Sequence, residues 1–309
     1  MIRGKYSIYI DGVLVDEAAN IITTSGLNLI KKYLTGSVAE WAGALAIGAM
    51  NSSSPTVSDS ILEYEYARSP IILKSYDTST GEIVLKATFP TTLVGQIFEL
   101  GIFSYNNNPF SNGFDDKILF NFDETWYNVA DSSSASTTAS GRIGKYNYAV
   151  ASSASSNIFT YSSVDISGYS NSDIFEILYN VSTLQAGTRS ATVTFYDNQS
   201  PTRGSASLVF AMDTSSTGYK KSSASYANLV KSASFNGRLS QINLFVEGTG
   251  KTSVLQLDSL KIRDVALTDE NYCLVSRALI GVAGGTSITD YFTKQSGASM
   301  DIEYRMTVS

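Results

Sequence analysis

None of the 309 residues is histidine, which removes the commonest general base and the commonest metal ligand together. Ser-His-Asp and Cys-His nucleophiles are therefore impossible, as is every zinc site that includes His. The single cysteine, Cys273, has no partner for an intramolecular disulfide, and in the strand-like run 272–275 it reads as a small buried hydrophobe. Carboxylates remain. A pair of them can hydrolyse glycosidic bonds without histidine when they stand roughly 5 Å or 6.5–9.5 Å apart. Asp115-Asp116 and Asp123-Glu124 are adjacent acids, but neither stands out as such a pair. A polysaccharide-degrading glycoside hydrolase is therefore the weaker alternative. Glu99 lies in an otherwise apolar strand, and Arg68 has no acid close in sequence except Glu63 and Glu65. An Arg68–Glu99 ion pair across strands would solve the desolvation problem of both charges, a structural role. Along 255–262, Leu255 and Leu257 are odd-numbered while Leu260 and Ile262 are even. The buried face changes phase at Asp258-Ser259, which implies a bulge that re-aims a side chain.

These side chains need a scaffold, and composition says which kind. Hydrophobic residues make up 43% and charged residues 16%, enough apolar content for a core and too little charge for a disordered tail. The 19 tyrosines and 14 phenylalanines favour strands. A net charge of −6 with no basic run excludes a nucleic-acid surface. No apolar run approaches the ~20 residues of a membrane helix, so no membrane insertion is expected. Met1-Ile2-Arg3-Gly4-Lys5 leads straight into an alternating strand, so neither a signal peptide nor export from the cytoplasm where it is made is expected.

Asp11-Gly12 between Tyr6-Ser7-Ile8-Tyr9-Ile10 and Val13-Leu14-Val15 signals a tight hairpin. Thr24 or Ser25 can cap a short helix with Leu27, Ile30 and Leu34 on one face, ended by Gly36. Strands dominate thereafter. Ile83, Leu85, Ala87 and Phe89 share one face of a strand that follows a turn at Thr80-Gly81. Loop material at 106–113 precedes a second strand-rich region from about 117 to 265, with serine-rich surface loops at 131–140 and 151–156. At the end, Met300, Ile302, Tyr304, Met306 and Val308 alternate with polar residues, and a strand so apolar on one face must pair with something already folded. The expected organisation is all-β. A β-sandwich with one short helix, built from 1–114 and 267–309, is interrupted by a β-sandwich at 115–266 inserted through a surface loop.

Two resemblances extend this reading. Thr23-Thr24-Ser25-Gly26-Leu27, Leu45-Ala46-Ile47-Gly48-Ala49, Asp59-Ser60-Ile61-Leu62-Glu63 with Arg68 and Phe89, and Ile97-Phe98-Glu99-Leu100-Gly101-Ile102-Phe103 occur in succession. With Lys294, Gly297 and the final alternating strand, they resemble a β-sandwich domain of tail, tail-fibre and baseplate proteins of tailed phages. That resemblance implies a virion protein (fibre, neck, baseplate or head decoration) that docks to other virion proteins and forms a homo-oligomer, trimer first.

The inserted region opens with Leu119-Phe120-Asn121-Phe122-Asp123-Glu124-Thr125-Trp126 and closes with Leu255-Gln256-Leu257-Asp258-Ser259-Leu260-Lys261-Ile262. It looks like the jelly-roll of carbohydrate-binding modules. The resemblance implies a structural calcium ion, for which Asp123 or Glu124 beside Asp258 could supply oxygen ligands; an unpaired, solvated Asp258 in an irregular strand is the competing reading. It also implies host-surface glycans as ligands, stacked on exposed aromatic rings. Trp126, Tyr127, Tyr146 and Tyr148 are the first candidates, followed by Tyr169, Tyr219 and Tyr226. Trp126, directly after the acids, is expected instead to pack beneath the sandwich.

Overall fold

The computed structural model describes residues 2–104, 117–129, 138–139, 141–150, 155–184, 187–197, 203–265, 273–281 and 291–308. The acidic pair Asp115-Asp116, the loops at 106–113 and most of the two serine tracts lie outside these residues. The chain divides into two compact units, Met1–Asp115 with Leu267–Ser309, and Asp116–Ala266. Among the described residues, no helix is long and apolar enough to cross a membrane.

The first unit begins with β1 (Ile2–Ile10), β2 (Val13–Ala19) and β3 (Ile21–Ile22), followed by α1 (Thr24–Leu34). Then come β4 (Ala44–Gly48), β5 (Glu65–Pro70), β6 (Leu73–Asp77), β7 (Glu82–Phe89), β8 (Gly95–Ile97) and β9 (Glu99–Phe103). The second unit holds β10 (Lys117–Phe120), β11 (Tyr127–Asn128), β12 (Thr138–Ala139), β13 (Tyr146–Val150), β14 (Ser156–Tyr161) and β15 (Ile174–Thr183). It continues with β16 (Thr188–Asp197), β17 (Ser205–Asp213), β18 (Gly218–Ser225), β19 (Val230–Lys231), β20 (Leu239–Val246) and β21 (Val254–Arg263). The chain then returns to the first unit with β22 (Leu274–Leu279), β23 (Phe292–Lys294) and β24 (Met300–Val308).

Two five-stranded antiparallel sheets, ordered β2-β1-β24-β7-β6 and β3-β22-β9-β4-β5, and the two-stranded sheet β8-β23 form the first unit. The hairpin between β1 and β2 turns at Asp11 and Gly12, which both take positive φ as that tight turn requires. The alternation of β24 is realised at the centre of its sheet, between β1 and β7, with Met300, Ile302, Tyr304 and Met306 buried. Tyr6 and Tyr304 meet across that sheet with ring centroids 4.9 Å apart, and the Tyr6 hydroxyl reaches Ser276 Oγ on β22 at 2.5 Å, tying the two layers together. Helix α1 is capped by Thr23, whose Oγ1 accepts from the Gly26 N–H. Its buried stripe is Gly26, Leu29 and Ile30, whereas Leu34 is exposed. The expected face is shifted because the helix backbone presses on β22: a Cβ at Gly26 would meet the Val275 carbonyl oxygen.

The expected Arg68–Glu99 ion pair does not form. Arg68 donates through Nε and Nη2 to Glu65 at 2.6 and 2.7 Å and lies over the Phe103 ring at 3.8 Å. Glu99, fully buried, is paired instead with Arg277 of β22 at 2.9 Å and accepts the backbone N–H groups of Glu63 and Tyr64, each at 2.9 Å. Sheet order is the cause. β4 lies between the strands of Arg68 and Glu99, while β22 is the direct neighbour of β9. Arg277 also pairs with Asp59 at 2.9 Å and Glu63 at 3.7 Å, so one guanidinium pins the loop before β5 to the core. Burial pushes the Glu99 carboxyl above its ordinary range, and the Arg277 charge and the two backbone donors pull it back.

The second unit is a sandwich of two six-stranded antiparallel sheets over one core. One has the order β12-β13-β21-β15-β18 with β10 also on β21, and the other β11-β14-β20-β16-β17-β19. Apart from the β16-β17 hairpin, successive long strands switch between the two sheets, as in a jelly-roll. Phe175, Phe195, Phe210, Leu244 and Leu257 belong to its core.

Candidate functional site

The three acids expected around a cation do not assemble as an ion cage. The register of β21 against β15 shifts between Ser259 and Leu257, which leaves Asp258 as the bulged residue. Its carboxylate accepts the backbone N–H of Arg142 at 2.6 Å and of Ile143 at 3.0 Å, with Tyr219 as a further side-chain partner. Full burial pushes the Asp258 carboxyl up to about 7, against the pull of those donors. The Arg142 guanidinium covers the Tyr219 ring at 3.9 Å. Asp123 accepts from the Lys145 N–H at 2.8 Å, and Glu124 accepts from the Asn121 N–H at 3.3 Å. Asp258 and Asp123 thus clamp the turn at 141–145, whose Gly144 at φ +75° has no room for a side chain against Asp123. Among the described residues no three acidic or sulfur side chains converge on one point. This donor set does not fit calcium, because the lone pairs that a hard cation needs are turned onto peptide N–H groups.

Burial sorts the expected aromatic residues. Trp126 is only 2% exposed and packs with Phe120 and Phe122, both at 5.0 Å. Tyr148 is buried and stacks on Phe122 at 5.8 Å. Neither can receive a sugar ring. Tyr226 is buried on Phe175, and Tyr169 packs against the core. Tyr146 is exposed but stands on the other sheet. Of the first four candidates, Tyr127 alone joins a larger outward cluster.

That cluster covers the outer face of the sheet β11-β14-β20-β16-β17. Strand pleating turns Ile158, Ile242, Leu244, Val193 and Phe195 into the core and their neighbours outward. Register then lines up the outward residues in rows across the sheet. One row runs Tyr127, Phe159, Asn243, Thr194, Ser207. The next runs Tyr161, Gln241, Tyr196, Ser205, and on the opposite side lies Asn157, Phe245, Thr192, Val209. Tyr127, Phe159 and Tyr161 form a contiguous aromatic group with centroids 5.4, 5.7 and 6.1 Å apart. Tyr161 is 67% exposed, and Phe245 adds a further exposed ring. Beside them the Gln241 amide donates to Asn243 Oδ1 and accepts from Arg203 at 2.7 Å. The guanidinium of Arg203 lies over the Tyr196 ring at 4.3 Å.

A face of this kind suits a flat ligand that is apolar on one side and rich in hydroxyls at its rim. Ring faces offer dispersion and apolar contact, while amides supply paired donors and acceptors. At about 4.8 Å between strands, Tyr161 and Tyr196 stand about 10 Å apart with Gln241 between them. Phe159, Tyr161, Tyr196, Gln241 and Asn243 were not singled out from the sequence. The signal was present in the alternation of Asn157-Ile158-Phe159-Thr160-Tyr161 and Gln241-Ile242-Asn243-Leu244-Phe245, where the apolar partners mark the core side.

Neither a protein-family model nor a curated protein matches the chain. Among solved structures, it is similar to a family 11 carbohydrate-binding module from Clostridium thermocellum in complex with a β-1,3-1,4-mixed-linked tetrasaccharide. That likeness has 13% identity and a TM-score of 0.33, over 48% of this chain and 95% of that one. It is also similar to the N-terminal CBM22-1–GH10 modules of a Clostridium thermocellum endo-1,4-β-D-xylanase complexed with xylohexaose. There the identity is 15% and the TM-score 0.32, over 49% of this chain and 29% of that one.

Proposed function

We propose that this chain is a non-catalytic glycan-attachment protein of a tailed-phage virion, in which the second unit binds host-surface glycan and the first docks to other virion proteins. The observation that carries the glycan reading is the grid of outward aromatic and amide side chains on the sheet β11-β14-β20-β16-β17. An exposed aromatic patch of this size costs solvation unless a partner covers it, and interleaved amides favour a hydroxylated partner over a purely apolar one. The three rows hold no carboxylate, which favours retention of a sugar over its hydrolysis. The virion setting is supported by the succession of sequence motifs in the first unit. A homo-oligomer, trimer first, accords with the exposed Val13, Leu14 and Val15 of the edge strand β2; a monodisperse monomer in light scattering would count against it.

The test is a glycan array probed with the purified full chain and with Tyr161→Ala. Specific retention by the wild type, reduced on the order of tenfold (~1.4 kcal/mol) in the variant, is expected. A flat array removes the glycan reading.

A further inference from the structure

The aromatic platform is not uniform along its length. Arg203 sits where the chain enters β17, at the Tyr196–Gln241 end of one row. Its two contacts hold the guanidinium on the outer face of the sheet, and the residue is exposed. A guanidinium carries five N–H donors in a planar fork, and the Gln241 contact engages one nitrogen. The rest of the platform is neutral: its three rows contain aromatic, amide, hydroxyl and aliphatic side chains only.

Among the described residues no acid neutralises Arg203. Asp197, at the end of β16, is fully buried and accepts the backbone N–H groups of Gly204 and Asn236. Asp165 binds Ser167 and faces Arg238 at 3.6 Å. Glu247 follows β20 six residues beyond Gln241, roughly 20 Å away along an extended strand. It accepts from Ser190 Oγ at 3.0 Å and lies 3.9 Å from Lys251. Among the described residues, a protein of net charge −6 thus presents the Arg203 guanidinium on this aromatic face without an acidic partner. A neutral sugar can accept only ordinary hydrogen bonds from that guanidinium, whereas a carboxylate matches its fork and gains a stronger charge-assisted, bidentate contact.

We infer that the glycan bound on this face is acidic, its uronate-type carboxylate held by Arg203 while neighbouring rings lie on Tyr161 and across Gln241. This rests on the glycan-binding reading and adds the class of sugar. The protein's overall negative charge repels a polyanion only weakly at physiological salt, where fields decay over about 8 Å, so the contact with Arg203 decides at short range.

The experiment compares the full chain with Arg203→Gln and Tyr161→Ala on an array carrying polygalacturonate, hyaluronate and alginate beside dextran, galactan and mixed-linkage β-glucan. The strongest binder is then presented again with its carboxyls methyl-esterified. Expected are retention by carboxylated polymers, a tenfold or greater loss on esterification, and a similar loss in Arg203→Gln with an unchanged melting temperature. Tyr161→Ala weakens binding with or without the carboxyl. Retention of neutral polymers with no loss in Arg203→Gln overturns the acidic assignment and leaves the glycan reading standing. Acidic binding that Arg203→Gln does not weaken overturns it equally. No retention of any polymer overturns both.

Discussion

Replacing Arg277 by Met removes the guanidinium but keeps most of the aliphatic volume, so the loss is electrostatic. Three carboxylates lose a partner, and they are not equal. Asp59 and Glu63 retain access to water, while Glu99 is fully buried and keeps only the N–H groups of Glu63 and Tyr64. Gly48 makes the confinement tight, since a Cβ there would collide with the Glu99 carboxylate. Stranding one member of a buried ion pair costs about 3–5 kcal/mol. Glu99→Gln in the same background removes the stranded charge, so the double variant is expected to recover at least ~1 kcal/mol relative to the sum of the singles. In Arg277→Met nothing cationic opposes burial, so the Glu99 carboxyl rises further. The deficit is then largest above that raised value and shrinks as pH falls toward the unfolded value near 4.3. Urea unfolding reads this out, with Trp41 reporting the first unit and Trp126 the second. A loss under ~1 kcal/mol, or strict additivity in the double variant, would refute the assignment of Arg277 as the partner of Glu99.

Asp258 gives the second unit its own pH signature. Its carboxyl lies at about 7 folded against about 3.9 unfolded, so the folded state holds the proton more tightly. The stabilisation is full below pH ~4 and lost as pH rises through ~7, a span worth roughly 4 kcal/mol. Asp258→Asn should flatten that slope in the Trp126 transition, and an unchanged slope contradicts the assignment. Chelator should leave the melting temperature of the second unit unaltered, because Asp123, Glu124 and Asp258 are spent on peptide donors; a clear drop would restore a metal. Tyr161→Ala should shift stability by less than ~0.5 kcal/mol, since the ring is exposed, and a larger loss would make it a structural residue.

What could be read from the sequence was what depends on near neighbours. Asp11-Gly12 dictates its own turn, the alternation from Met300 to Met306 identifies a half-buried strand, and the parity break at Asp258 marks the bulge. Partners set by sheet order were beyond reach. Nothing local says that β22, some 170 residues after β9, lies beside it, so the partner of Glu99 was misassigned. The aromatic site was half legible for a related reason. Trp126, expected beneath the sandwich, is indeed in the core, but nothing in the sequence singled out its neighbour Tyr127, one pleat away on the surface, from the other tyrosines. The two-residue β11 fixes which is which, and so short a strand leaves no periodicity to read.

The central place of β24 bears on how the polypeptide is made. Both β1 and β7 leave the ribosome long before the strand that joins them, and the whole of Asp116–Ala266 is synthesised in between. The inserted unit can finish folding first, while its host waits with two open edges and a sequence gap of more than two hundred residues to close. A nascent chain cut short before Met300 would keep those edges bare and prone to aggregation, so the first unit depends on β24 having been made.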